Sequence, residues 1–233
     1  MAQPLSNKTV AILLTDGFEQ VEMTEPRKAL EQAGAQVHLV APKAGEVKGW
    51  KFTEWGNTFP VDRPLEQANP SEYDALMLPG GVMNPDHLRV NEQAQQFVRA
   101  FFERGKPVAA ICHAPWTLIN AGVAEGRTMT SYHSIKTDLI NAGVQWVDQA
   151  VVVDGALLTS RNPDDLDDFN RAMIELFATG AEQPATGRQP SEAPNTSFDT
   201  GAGVGATGYD SPRHASSHGS NVDYHRNVPD PKP

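Results

Sequence analysis

The chain has 233 residues, a formal net charge of −10 and 39% hydrophobic residues, enough for one sizeable core with a polar segment attached. That charge argues against non-specific binding to nucleic acid or to an anionic membrane surface, because both need a basic patch. The single cysteine excludes an internal disulfide and suits a reducing compartment; with no apolar run of about 18 residues to span a bilayer and no apolar leader at the start, a cytoplasmic protein is expected.

In chain order, residues 1–8 read as an N-terminal extension. The apolar run over 9–15 lacks alternation, the mark of a strand buried on both faces, and is the first central parallel strand. Asp16-Gly17 breaks it. Phe18-Glu19-Gln20-Val21-Glu22-Met23 leads into a helix stopped by Gly34, which Pro26 either starts or kinks. Residues 36–41 form a second strand, closed by Pro42. Over 45–62 the aromatics Trp50, Phe52, Trp55 and Phe59 lie among polar residues. The pattern predicts a small antiparallel excursion on the sheet edge, with aromatics that cover a neighbouring surface or a subunit contact rather than form a binding platform. Residues 73–78 are the next strand, ended by Pro79-Gly80-Gly81, a turn whose backbone N–H groups can point at an anion.

Asn84-Pro85-Asp86-His87 reads as a loop leading to a helix over 91–104, with Phe97, Ala100 and Phe101 on its apolar face. Residues 107–111 are another buried strand, running into Cys112-His113. A short helix over 115–121, a brief strand over 127–131 and a helix over 135–142 follow. Residues 147–153 and 156–160 form a hairpin around Asp154-Gly155, and 163–178 a final helix with Asp164 and Asp165 in its first turn. From 180 to 233 there is no leucine, isoleucine, methionine or tryptophan. Such a segment buries too little to offset its ordering entropy, so a disordered low-complexity tail is expected, with His214, His218 and His225 solvated rather than bound to metal.

Alternating strands and helices with short connections imply a mainly parallel sheet covered on both faces, with its site beyond the carboxyl ends of the strands. Cys112 sits at a strand-to-helix turn with Ala110 and Ala114 two positions either side, the pattern of a nucleophile elbow carrying sulfur. The bland reading is a small buried hydrophobe. A thiol near a helix N-terminus favours thiolate, and His113 is placed to take its proton. Gly80, Gly81 and Ala114 are candidate oxyanion or substrate-binding positions, the N–H groups of Gly81 and His113 foremost. Glu19 is either a solvated loop carboxylate or, if buried beside Cys112, a protonated one donating to the sulfur.

Asp16-Gly17-Phe18-Glu19-Gln20-Val21-Glu22, Leu78-Pro79-Gly80-Gly81, Ala110-Ile111-Cys112-His113-Ala114-Pro115, Thr130-Ser131-Tyr132, Asn141-Ala142-Gly143-Val144 and Val151-Val152-Val153-Asp154-Gly155 together resemble the PfpI-like branch of the ThiJ/PfpI superfamily, over about residues 8–178. The resemblance implies a flavodoxin-like three-layer sandwich over 9–179 and a reactive Cys112 bonded to Glu19. It also implies that His113 is oriented by an acid from a neighbouring subunit, here Asp86, in a homodimer or hexamer. Two departures stand out: the loop carrying Asp86 is about one residue longer and has Asp for Glu, and Trp116 replaces a glutamine common among relatives. Members are described as cysteine peptidases, general stress proteins and enzymes acting on methylglyoxal or its protein adducts. The expectation is therefore a stress-protective cysteine hydrolase or glyoxalase/deglycase acting on a small aldehyde or peptide, with no cofactor and no metal. The alternative is a redox sensor or chaperone-like protein in which Cys112 is oxidised to sulfinate.

Overall fold

A computed structural model describes residues 3–180 of the chain; the expected tail, from 181 on, lies outside the described residues. The elements run β1 (Thr9–Leu13), β2 (Phe18–Glu19), α1 (Gln20–Gln32), β3 (Gln36–Ala41), β4 (Glu46–Lys51), β5 (Glu54–Pro60), β6 (Arg63–Pro64), β7 (Ala75–Leu78), α2 (Met83–Leu88), α3 (Glu92–Glu103) and β8 (Val108–Ile111). Then come α4 (Pro115–Asn120), β9 (Thr128–Met129), α5 (Lys136–Asn141), β10 (Gln145–Trp146), β11 (Val151–Asp154), β12 (Leu157–Ser160) and α6 (Leu166–Thr179). Seven strands pair in the order β11-β12-β8-β7-β1-β3-β6. All are parallel except β11, which returns antiparallel on β12.

The period-2 geometry of strands explains the layering. Val10, Ile12, Met77, Ala109 and Ile111 face one side, packing with Met23 and Leu30 of α1 and Phe169, Met173 and Phe177 of α6. Their neighbours Ala11, Leu13, Leu76, Val108 and Ala110 face the other, against Phe97, Val98 and Phe101 of α3, Leu118 of α4 and Leu139 of α5. Both faces being covered, every central strand reads as an unbroken apolar run. The result is the flavodoxin-like three-layer sandwich expected from the sequence.

Several local expectations are corrected. The excursion after β3 is antiparallel, but β4 and β5 join β2 in a separate three-stranded sheet rather than extending the main one, because β2 pairs Phe18 with Gly49 and Glu19 with Trp50. The stretch holding Asp86 is the short helix α2, not a loop. Asn84, fully buried, pins it: its amide donates to the carbonyls of Pro79 (2.8 Å) and Gly80 (3.2 Å), and its oxygen accepts from the Thr15 N–H (2.8 Å). Pro26 lies buried inside α1, where it has no N–H for the Glu22 carbonyl. Within the N-terminal extension, Leu5 is buried in the core and its N–H donates to the Ala33 carbonyl at 2.9 Å.

Candidate active site

The apolar strand β8 ends at Ile111, and the next residue breaks from it. Cys112 has φ 63°, the left-handed region, a conformation that costs a non-glycine residue about 1–3 kcal/mol unless its surroundings hold it. They do so from both sides: the Cys112 N–H donates to the Ser160 carbonyl (3.0 Å), and the Cys112 carbonyl accepts from the Tyr132 N–H (2.9 Å). The turn closes with the Ala114 N–H on the Ile111 carbonyl (3.0 Å). Gly80 makes room for it, since a Cβ there would lie 2.7 Å from the Cys112 Cβ and 2.8 Å from the Ile111 carbonyl oxygen. The elbow read from the sequence is present.

The carboxyl group beside the sulfur belongs to Glu22, and this corrects the expectation for Glu19. Side chains in a helix lean toward its N-terminus, and Glu22 sits in the first turn of α1, in line with buried Pro26 and Leu30. It points back beneath the elbow and is fully buried. Its Oε2 accepts from the Gly80 N–H at 2.9 Å, the carboxyl adjoins the Cys112 thiol, and Oε1 has no hydrogen-bond partner among the described residues. Burial pushes this carboxyl up to about 8, so it is mostly protonated at neutral pH, the state that donates to sulfur. Burial and the adjoining Glu22 push the Cys112 thiol well up; the two groups share at most one negative charge. Glu19, one residue before α1, instead lines the cavity wall. Its Oε2 accepts from the Phe52 N–H at 3.3 Å, Oε1 is unpartnered among the described residues, and burial raises its pKa.

His113 lies with Nδ1 3.1 Å from the sulfur and Nε2 3.0 Å from the Ser134 hydroxyl. Burial, and then the neighbouring His133, lower its pKa to about 4, so the resting imidazole is neutral and able to accept a proton. The N–H groups of Gly81 and His113 face the sulfur and stand where an oxyanion formed there would sit. Gly80 and Ala114 drop out as donors, since their N–H groups are spent on Glu22 and Ile111. Gly81 has φ +79°, and a Cβ on it would come within 2.6 Å of the Glu19 backbone nitrogen, so only glycine places that N–H.

These groups open into a cavity of about 680 Å³ bounded by Glu19, Trp50, Phe52, Val82, Tyr132, Ser134 and Asp164 among others. Trp50 and Phe52 therefore line this cavity, carried over it by the β4–β5 hairpin; Phe52 is 67% exposed at its tip. Asp86 sits on the exposed side of α2, and within the chain His113 meets Ser134 rather than an acid. The sequence reading missed Glu22 and Ser134. The four-residue spacing of Glu22, Pro26 and Leu30 on one helix face was a usable signal for the first; nothing local marks the second.

The model of the DJ-1/PfpI family matches residues 8–176. The chain is 47% identical over 168 residues to a deglycase of Pyrococcus abyssi, covering 72% of this chain and 98% of that protein. It is 43% identical over 172 residues to the "Putative cysteine protease YraA" of Bacillus subtilis, covering 73% and 99%. Among solved structures it is similar to Drosophila melanogaster DJ-1beta, with a TM-score of 0.68 and 31% identity over 73% of this chain and 90% of that one. A two-domain protein of Anabaena variabilis with DJ-1/ThiJ/PfpI-like and ferritin-like domains gives a TM-score of 0.69 and 38% identity, over 72% of this chain and 48% of that one.

Proposed function

The chain belongs to the DJ-1/PfpI family, and from that premise we propose that it is a stress-protective enzyme whose Cys112 attacks carbonyl carbon, in a deglycase or glyoxalase-type reaction on small aldehydes and their adducts. The observation that carries this reading is the strained Cys112 at the floor of the cavity, with a protonated carboxyl, a neutral imidazole and the N–H groups of Gly81 and His113 gathered around its sulfur. The sulfur forms a bond to the aldehyde carbon while the C=O pair moves onto oxygen, where the N–H groups of Gly81 and His113 receive it. The thiol proton passes to His113 Nδ1 and from there to that oxygen. The apolar wall of Trp50, Phe52 and Val82 suits the uncharged part of such a substrate.

The same chemistry serves peptide hydrolysis, and the likeness to a protein named for cysteine protease activity supports keeping peptides in the test. Purified protein is given methylglyoxal, a methylglyoxal-modified peptide and an unmodified peptide, beside Cys112→Ser. Turnover of one of these by the wild type and none by the serine variant is expected; equal turnover in both rejects the proposal. The protonated Glu22 also favours a second reading, sensing by oxidation, because it would hydrogen-bond a sulfinate on Cys112. Mild peroxide followed by mass spectrometry tests it, and an unmodified Cys112 counts against it. We also infer a cytoplasmic homodimer or hexamer joined near the exposed Val82, Asp86 and Val90. Sedimentation as a monomer contradicts this assembly. No helix among the described residues is long and apolar enough to cross a membrane.

A further inference from the structure

Both ring nitrogens of His113 are engaged within one chain, by Cys112 at Nδ1 (3.1 Å) and Ser134 at Nε2 (3.0 Å). The ring is also held in plane. Tyr132 stacks on it with centroids 4.8 Å apart and planes at 27°, and Trp116 packs edge-on at 5.4 Å and 61°. Trp116 is fixed in turn: its Nε1–H donates to Asp138 Oδ2 at 2.7 Å, and the Arg89 guanidinium lies 5.2 Å over its ring. An imidazole clamped between two aromatics keeps its nitrogens facing their two partners.

Proton chemistry then chooses the tautomer. For Nδ1 to take the thiol proton it must be bare, so the neutral ring carries its hydrogen on Nε2, and that N–H needs an acceptor. The Ser134 oxygen is that acceptor. When the S–H bond breaks, the proton bonds to Nδ1 and the pair stays on sulfur, facing the N–H groups of Gly81 and His113. The resulting imidazolium still donates from Nε2 to the same oxygen. We propose that Ser134 is the positioning residue of the nucleophile pair, its hydroxyl oxygen holding the Nε2–H of His113 so that Nδ1 faces the sulfur. This rests on the reading of Cys112 as a nucleophile. The other titratable groups bounding the cavity are Glu22 and Glu19 at the start of α1, Tyr132 and His133 before α5, and Asp164 before α6; none of them is bonded to Nε2.

The test is the rate of Cys112 alkylation by iodoacetamide, followed by intact-protein mass from neutral to fully alkaline pH, for the full-length wild type, Ser134→Ala, Ser134→Thr and Asp86→Asn. Loss of the hydroxyl leaves the Nε2–H without a partner. Ser134→Ala should therefore move the midpoint of the rate–pH profile up by about one unit and lower the rate near neutral pH about tenfold. Ser134→Thr keeps the oxygen and should restore the wild-type profile, which a purely structural role would not require. Asp86→Asn should leave the profile in place. An unmoved midpoint in Ser134→Ala overturns the proposal, as does a larger shift in Asp86→Asn, which would assign the role to an acid from another subunit. Alkylation needs no natural substrate, so a shifted profile beside absent turnover of methylglyoxal and peptides would reject the proposed activity and leave the positioning role of Ser134 standing.

Discussion

Glu22 concentrates the electrostatics of the site in one carboxyl group. Its pKa rises from an ordinary 4.5 to about 8 in the fold because burial disfavours its charged form. A carboxyl whose folded pKa lies above its unfolded one binds its proton more tightly in the native state. The stability this contributes is fully present below about 4.5 and is lost as pH rises to about 8, by up to about 1.4 kcal/mol per pH unit. Glu22→Gln has no such proton to lose. Denaturant unfolding of the two proteins at mildly acidic and mildly alkaline pH should show the wild type losing stability relative to the glutamine variant as pH rises; parallel curves would mean that Glu22 ionises freely. At this scale the sequence was legible in part. Cys112 and His113 announce themselves as the sole cysteine beside a histidine at a turn. Glu19 and Glu22 are chemically equivalent on paper, and only the direction in which α1 leaves β2 decides which of them reaches the sulfur. Ser134 is one serine among many, brought to His113 by the segment between β9 and α5, a contact 21 residues apart in sequence.

At the scale of elements, the site is a collision of two turns: the one after β7, carrying Gly80 and Gly81, and the elbow after β8. Parallel pairing of Leu78 with Ala110 brings them side by side. A Cβ at Gly80 would lie 2.6 Å from Glu22 Oε2, 2.7 Å from the Cys112 Cβ and 2.8 Å from the Ile111 carbonyl oxygen. Backbone and short side chains cannot swing aside. Gly80→Ala should therefore cost about 1–3 kcal/mol in thermal or denaturant unfolding and slow alkylation of Cys112, whereas a variant of unchanged stability would mean the turns are not in contact. The central strands and the main helices were readable because they carry the two periodicities of backbone geometry, an apolar run or a stripe. The β4–β5 hairpin was readable as a hairpin but not as a wall of the site. Its partner β2 is only two residues long, too short to leave a pattern, and without it the aromatics Trp50 and Phe52 looked like surface cover.

For the molecule as a whole, the parallel sheet sets where the candidate site lies: the segments that follow β1, β7 and β8 deliver Glu22, Gly81 and Cys112 to one edge. The alternation of strands and helices fixed this architecture from the sequence, since each element must bury one face against the next. The relatives are covered to 98% and 99% of their own length by 72% and 73% of this chain, so their counterpart ends near α6. Removing residues 181–233 should accordingly leave the melting temperature within about 2 °C and turnover within about twofold. A large loss of either would give that segment a part in the fold or the site. The proposed activity depends most on the sulfur of Cys112 bonding to substrate carbon. Rapid mixing of the protein with methylglyoxal, acid quenching within a turnover and mass spectrometry of the peptide containing Cys112 reads that bond directly. A transient adduct on Cys112, gone after turnover and absent from Cys112→Ser, is the predicted result; turnover with Cys112 unmodified at every time point would contradict it.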